Sequence, residues 1–224
     1  MDILVVSVDG PRDMHNSIRG KYAFERVVAG LETILKQPKK PLLFISMAIS
    51  DMNYNKLIPT YELAKSWGVD GINFNHLWMQ TDEMVHKLNA SKSPFSAEHL
   101  MWDVNTDLIN VEVLADSLET IRGRSLGGTL VVAEAPYLNR QEIATWYRKP
   151  ESPVKYETVR CGWVHMKFWA DGKVKPCRDW VVGDICEQNA MEIWNSRDFK
   201  EFRRIFDTDG MLPICTRCCH VARR

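Results

Sequence analysis

The first 160 residues of this 224-residue sequence contain no cysteine, and all six cysteines lie between Cys161 and Cys219. The formal net charge is zero, which gives no sign of a nucleic-acid or anionic-membrane partner. No apolar run approaches the roughly eighteen residues that a membrane-spanning helix needs. The first residues lack a basic stretch and a cleavage site, so they do not form a secretory signal. These absences predict a cytoplasmic protein, in which clustered thiols are reduced or bind metal.

The amino-terminal part alternates strands with amphipathic helices. Apolar runs at 3–8, 41–47 and 71–74 predict buried strands, and a turn or loop follows the first of them. Apolar residues at helical spacing predict one helix within 22–37 and a second from Leu57 to Ala64, which Gly68 ends. Strands and helices that alternate through short connections form a parallel sheet. An α/β fold is therefore expected here.

The pattern is less regular after His76. We expect a short helix at 80–88, a loop at 89–105, a helix at 107–121, a strand at 129–132, a helix at 139–148 and a linker at 149–153. His76 follows the third strand, at the sheet edge where parallel sheets place ligand groups. A single histidine there is nevertheless more often structural than catalytic, so no catalytic residue is assigned.

The six cysteines have the spacing of metal ligands. Cys161 and Cys177 flank a predicted hairpin, in which strand-like runs at 163–168 and 173–175 surround Asp171-Gly172. Short helices are expected at 191–194 and 199–206, and a C-x-x-C step then runs from Cys215 to Cys218. Thiolates suit iron–sulfur clusters and zinc about equally well, so the spacing alone leaves both metals open.

The carboxy-terminal segment resembles the twitch or SPASM auxiliary-cluster domain of radical SAM enzymes. The matching features are Cys161-x10-Gly172-x4-Cys177, Gly183-Asp184-Ile185, 192–196, Phe202-Arg203 and Pro213-x-Cys215-x2-Cys218. The resemblance implies one auxiliary 4Fe–4S cluster, since a cluster needs four protein ligands. Those ligands would be Cys161, Cys177, Cys215 and Cys218. Cys186 and Cys219 would be left over.

The amino-terminal part resembles the barrel of the same family. The sequence Val6-Ser7-Val8-Asp9-Gly10-Pro11, followed by His15-Asn16 and Arg19-Gly20, is similar to the fourth barrel strand and its following loop. By position, Ser7 and Arg19 would lie in the S-adenosyl-L-methionine (SAM) pocket. The implied fold class is α/β: a partial (β/α) barrel at 1–105, a connecting α/β segment at 106–150 and a small α+β SPASM/twitch domain at 151–224.

One motif of this family is missing. Radical SAM enzymes hold their SAM-cleaving cluster with C-x-x-x-C-x-x-C, and this sequence has no such motif. We therefore expect a fragment, the C-terminal two-thirds of a radical SAM enzyme that abstracts hydrogen from a peptide or another biosynthetic intermediate and uses an electron donor. On its own it should not cleave SAM. The alternatives are a zinc-stabilised binding module without catalysis and a subunit that completes its barrel with a partner.

Overall fold

The structure is a computed structural model that describes residues 2–91, 105–154, 158–159, 161–177, 180–208, 210–218 and 221–222. The chain divides into two compact units. The first contains Met1–Leu77 and Asp103–Arg148, and the second contains Trp78–Trp102 and Lys149–Arg224. Within the described ranges, no helix has both the length and the apolar character needed to cross a membrane.

The elements are numbered in chain order. The α-helices are α1 (Arg12–Arg19), α2 (Ala23–Leu35), α3 (Leu57–Trp67), α4 (Asp82–Ala90), α5 (Val111–Ser125), α6 (Arg140–Arg148), α7 (Cys161–Val164), α8 (Ala190–Trp194) and α9 (Arg197–Thr208). The strands are β1 (Ile3–Ser7), β2 (Leu42–Ala48), β3 (Gly71–Asn75), β4 (Val131–Ala135), β5 (Thr158–Val159), β6 (Lys167–Phe168), β7 (Lys173–Lys175), β8 (Gly183–Asp184) and β9 (Val221–Ala222). Short 3₁₀ helices cover Thr106–Leu108 and Pro213–Cys215.

A four-stranded parallel sheet forms the centre of the first unit, with the strands in the order β1-β2-β3-β4. The predicted parallel α/β arrangement is confirmed. Side chains alternate between the two faces of a strand, and in β2 the side chains of Leu43, Ile45 and Met47 are fully buried while their neighbours are not. The buried face packs with apolar residues of α3 and α5, whose fully buried members are Leu57, Ala64, Leu114, Leu118 and Ile121.

Gly68 ends α3 as the sequence predicted. Its φ of 65° lies in the left-handed region, where glycine has no steric penalty, and its N–H bonds to the carbonyl of Lys65. The chain then turns directly into β3.

Two local predictions were wrong. The loop expected after β1 contains α1, whose only buried residue is His15. A short polar helix of this kind has no apolar period to detect. The strand expected at 163–168 begins as the helical turn α7, and only Lys167 and Phe168 pair with β7. The expected loop at 89–105 lies mainly outside the described residues.

The second unit is built on an antiparallel sheet, in the order β6-β7-β8. The predicted hairpin forms around Gly172, whose φ is 81°. Asn189 caps α8, because its side chain accepts hydrogen bonds from the N–H groups of Met191 and Glu192. The apolar face of α9 is buried and consists of Phe199, Phe202, Ile205 and Phe206. This helix supplies much of the core on which the cysteines lie.

Candidate metal centre

Four cysteines lie around one apolar cluster of the second unit. Cys161 begins α7, Cys177 follows β7, Cys215 ends a 3₁₀ helix and Cys218 lies one turn further on. Cys161 and Cys215 are buried members of the cluster, and Cys177 and Cys218 pack against it while remaining partly exposed. The apolar members include Met84, Leu88, Phe202, Ile205, Phe206, Leu212 and Ile214. The structure thus brings together the four residues predicted as ligands.

Helix α9 fixes the turn that carries Cys161. Gly162 packs so closely on α9 that a Cβ added to it would lie 2.9 Å from the ring of Phe202. The guanidinium of Arg203 donates a hydrogen bond of 2.8 Å to the carbonyl of Gly162. The main chain of Gly162, next to Cys161, is therefore held by two neighbouring residues of one helix.

The C-x-x-C turn is held by the two residues between its cysteines. Thr216 and Arg217 are both buried, and Arg217 has no measurable exposure. The Thr216 hydroxyl donates to the carbonyl of Pro150 at 2.9 Å. Arg217 donates to the carbonyls of Lys149 and Ser152, at 2.5 and 2.9 Å. The segment 149–152 is thus bonded to the turn that presents Cys215 and Cys218.

The buried thiols are held in their protonated form. Burial, followed by the nearby Cys177, raises the pKa of Cys161 to about 11. Burial and then Cys177 and Cys161 likewise raise the pKa of the Cys215 thiol. All three cysteines belong to the apolar cluster or pack against it. A metal centre must therefore displace protons to bind here, which links metal binding to pH.

The donor set fits an iron–sulfur cluster. Four thiols in an apolar environment are the ligands that such clusters use. Among the described residues, no three histidine, cysteine, aspartate or glutamate side chains are already arranged to hold a metal ion. Cys186 is exposed on the turn after β8 and is not a member of the apolar cluster. Cys219 lies outside the described residues.

Ser7 and Arg19 lie together in the first unit. Ser7 ends β1, Arg19 ends α1, and both line an open groove of about 590 Å³. The Arg19 guanidinium forms an ion pair with the buried carboxylate of Asp9. That these two residues bind SAM stays a prediction.

His76, which the sequence placed at the edge of the sheet, is buried. Its Nδ1 lies 2.9 Å from the hydroxyl of Tyr147 on α6, and its ring packs near Trp146. Burial, with a smaller effect of Arg122, lowers the pKa of His76 to about 3. The ring is therefore neutral, and these contacts favour the structural role.

Sequence reasoning missed two residues of these sites. Arg217 could have been noticed because it lies inside the C-x-x-C step. His15, which lines the groove with Ser7 and Arg19, lies in the stretch that resembles the family's barrel but was given no role, because the helix that buries it was not predicted.

Comparison with known proteins identifies the carboxy-terminal segment. Residues 160–219 match the SPASM family, described as an iron-sulfur cluster-binding domain. This segment is therefore similar to SPASM domains. The resemblance to radical SAM proteins with an auxiliary cluster domain is confirmed by this match and by the structures below. No curated protein matches the chain.

Radical SAM enzymes are among the solved structures that are similar to this chain. Streptococcus suis SuiB has a TM-score of 0.57 at 12% identity, covering 96% of this chain and 49% of that one. SuiB bound to the precursor peptide SuiA has a TM-score of 0.58 at 13% sequence identity, and the match covers 96% of this chain and 48% of that one. Hexahistidine-tagged anSMEcpe with bound AdoMet has a TM-score of 0.52 at 16% sequence identity, and the match covers 89% of this chain and 52% of that one. At these identities the likeness shows the fold, and the chain spans about half the length of the structures it matches.

Proposed function

We propose that this chain is the auxiliary-cluster portion of a radical SAM enzyme, with one 4Fe–4S cluster held by Cys161, Cys177, Cys215 and Cys218. The observation that carries the proposal is the position of these four thiols around one apolar cluster, within the SPASM segment. When bound, such a cluster supplies electron transfer or structural support, since four protein ligands leave no iron open to substrate.

The domain arrangement follows from the same proposal. Residues 1–105 form part of a radical SAM barrel, 106–150 connect, and 151–224 form the SPASM/twitch domain. Strands β1, β2 and β3 within 1–105 and the SPASM match at 160–219 support this division, and β4 of the connecting segment extends the same parallel sheet. In the barrel part, Ser7 and Arg19 contact SAM. This assignment is supported because both residues line the same groove.

The proposed reaction is hydrogen abstraction from a peptide by a 5′-deoxyadenosyl radical. A peptide is favoured over other biosynthetic intermediates because SuiB, which has this fold, was solved with its precursor peptide SuiA. The reaction requires an electron donor. A cytoplasmic location is favoured because thiols stay reduced there and can bind the cluster.

Metal analysis of the anaerobically reconstituted chain tests the cluster. We expect about four irons and four sulfides per chain, with absorbance near 400 nm. Cys161→Ala and Cys215→Ala each remove a buried ligand and should lose most of the iron. Cys186→Ala is the matched control, because Cys186 is exposed and separate from the apolar cluster, and it should load fully.

Three outcomes would count against this assignment. A colourless protein with one zinc per chain would support the zinc-stabilised binding module instead. Equal iron loss in Cys186→Ala and Cys161→Ala would show that the ligand set is wrong. Co-purification with a second chain that supplies the missing motif would support the partner-subunit alternative.

A second test concerns SAM cleavage. The chain has no C-x-x-x-C-x-x-C motif, so we expect no 5′-deoxyadenosine when the reconstituted chain is incubated with SAM and dithionite. Liquid chromatography with mass detection measures the product. A clear yield of 5′-deoxyadenosine from this chain alone would contradict the expectation.

A further inference from the structure

The groove between β1 and the helices α1 and α2 has two chemically different parts. Its apolar part is formed by Val5, Val6, Ala23, Val27, Leu31 and Ile34. Its polar part is formed by Ser7, His15, Arg19 and Arg26, and no acidic residue is among the described residues that line it. The polar part offers hydrogen-bond donors and positive charge. It therefore suits a ligand that presents oxygen acceptors there and an apolar body beside them.

His15 is the buried donor of this polar part. The side chain is only 1% exposed, and its Nδ1 accepts a hydrogen bond of 3.1 Å from the main-chain N–H of Asp9. A nitrogen that accepts a hydrogen bond carries no proton, so in the neutral ring the proton lies on Nε2. Burial lowers the pKa of His15, which keeps the ring neutral near pH 7. The main chain of Asp9 thus fixes which nitrogen donates.

The Nε2–H of His15 has no hydrogen-bond partner in the part of the chain that the structure describes. A buried donor without an acceptor is destabilising, because it has lost its hydrogen bond to water and gained none in return. Such a group is rare in a native protein and often marks a ligand or an ordered water. Because His15 lines the groove, a ligand bound there is the natural acceptor.

Asp9 holds both His15 and Arg19 in place. Its main-chain N–H bonds to His15, and its buried carboxylate pairs with the Arg19 guanidinium. Its main-chain carbonyl accepts a hydrogen bond of 3.2 Å from the side chain of Asn53. Asp9, two residues beyond the end of β1, therefore positions two donors of the groove that Ser7 also lines.

We propose that His15 is a third ligand-binding residue of this groove and that it donates its Nε2–H to an oxygen of the ligand contacted by Ser7 and Arg19. This inference rests on the proposed function for the identity of the ligand, SAM, whose carboxylate and ribose hydroxyls are oxygen acceptors. The apolar part of the groove would receive the remainder of the molecule.

Two substitutions at one position separate ligand binding from structure. In Asn, the amide oxygen takes the place of Nδ1 and can still accept from Asp9; in Gln, the amide nitrogen takes the place of Nε2 and can still donate. Isothermal titration of the anaerobically purified chain with SAM measures the dissociation constant. We expect His15→Asn to weaken binding about fivefold, the effect of one lost hydrogen bond, and His15→Gln to stay within about twofold of wild type.

The thermal midpoint should respond in the opposite order. His15→Asn keeps the bond to Asp9 and should be the more stable variant, while His15→Gln loses it. If His15 had only a structural role, the less stable of the two variants would also bind SAM more weakly. In chain labelled with ¹⁵N-histidine, the free protein should show the Nε2–H tautomer, and SAM should shift the Nε2 signal.

The remaining variants separate this inference from the proposed function. If Ser7→Ala and Arg19→Gln weaken SAM binding while His15→Asn does not, His15 has no ligand role and the SAM pocket stands. If wild-type chain binds no SAM, or if none of the three variants changes the affinity, the SAM assignment fails and the inference fails with it.

Discussion

At the scale of single residues, Arg217 holds the C-x-x-C turn to the segment that precedes the first cysteine. Its guanidinium is fully buried and donates to the carbonyls of Lys149 and Ser152. Arg217→Met removes these donors and leaves the carbonyls buried without them. We expect the free energy of unfolding to fall by about 3 kcal/mol in the metal-free chain, as measured by urea denaturation.

An exposed arginine provides the control for this prediction. Arg204 pairs with Glu201 on the surface of α9, and exposed pairs contribute about 0–1 kcal/mol. Arg204→Met should therefore change the unfolding free energy by about 0.5 kcal/mol or less. Equal effects of the two substitutions would show that the buried hydrogen bonds of Arg217 do not hold the turn.

His76 should make the first unit sensitive to acid. Its folded pKa of about 3 lies below the unfolded value of about 6.5. Between these values the unfolded chain binds a proton that the folded chain does not, so stability is complete above about pH 6.5 and falls with decreasing pH, by up to about 1.4 kcal/mol per unit. Urea titrations from pH 7 to pH 4 measure this slope, and His76→Phe should reduce it.

His86 of α4, which is exposed, provides the control substitution for the acid experiment. His86→Gln should keep the wild-type dependence of stability on pH. A slope that is the same in His76→Phe as in wild type would assign the acid sensitivity to other groups, such as His15, whose pKa burial also lowers.

At the scale of elements, the β6–β7 hairpin depends on Gly172. Its φ of 81° is strained for other residues, and a Cβ would lie 2.8 Å from both the Asp184 carboxylate and the Cys186 sulfur. Gly172→Ala should therefore lower the unfolding free energy by about 1–3 kcal/mol. Gly30→Ala in α2 is the control, since a Cβ there meets nothing, and it should raise stability by about 0.5–1 kcal/mol. If Gly172→Ala left the unfolding free energy unchanged, the turn would have relaxed to accommodate the added Cβ.

Elements with an apolar period could be predicted from the sequence, and those without one could not. The β-branched run of β1 and the apolar spacing of α2 and α3 reflect burial on one face, which the sequence records directly. Helix α1 buries only His15, so its sequence is dominated by polar residues. The turn α7 follows Cys161 because Gly162 packs on α9, a contact between residues far apart in the chain.

The same distinction applies to the sites. Cysteine spacing and family order identified four thiols that the structure brings onto one apolar cluster. The partners of Arg217 and the orphaned nitrogen of His15 depend on the folded main chain, and no local pattern encodes them. Helix α4 likewise belongs to the second unit through Met84 and Leu88, although in the sequence it lies between the parallel strands β3 and β4.

At the scale of the whole molecule, the four proposed ligands all belong to the second compact unit, whereas Ser7, His15 and Arg19 belong to the first. A group that binds only the folded state stabilises the unit that binds it. Removing iron with a chelator should therefore loosen the second unit selectively. Amides of α9 and of 213–218 should exchange with deuterium faster after chelation, while those of α3 and α5 should not change.

Mass spectrometry of peptides from each unit measures this exchange before and after chelation. Cys161→Ala provides the internal control, because a chain that cannot hold the cluster should show rapid exchange in α9 from the start and no further response to the chelator. Acceleration of equal size in α3 and α9 would contradict the prediction. It would mean that the cluster stabilises the chain as one cooperative structure, so that losing it would also open the groove that contains His15.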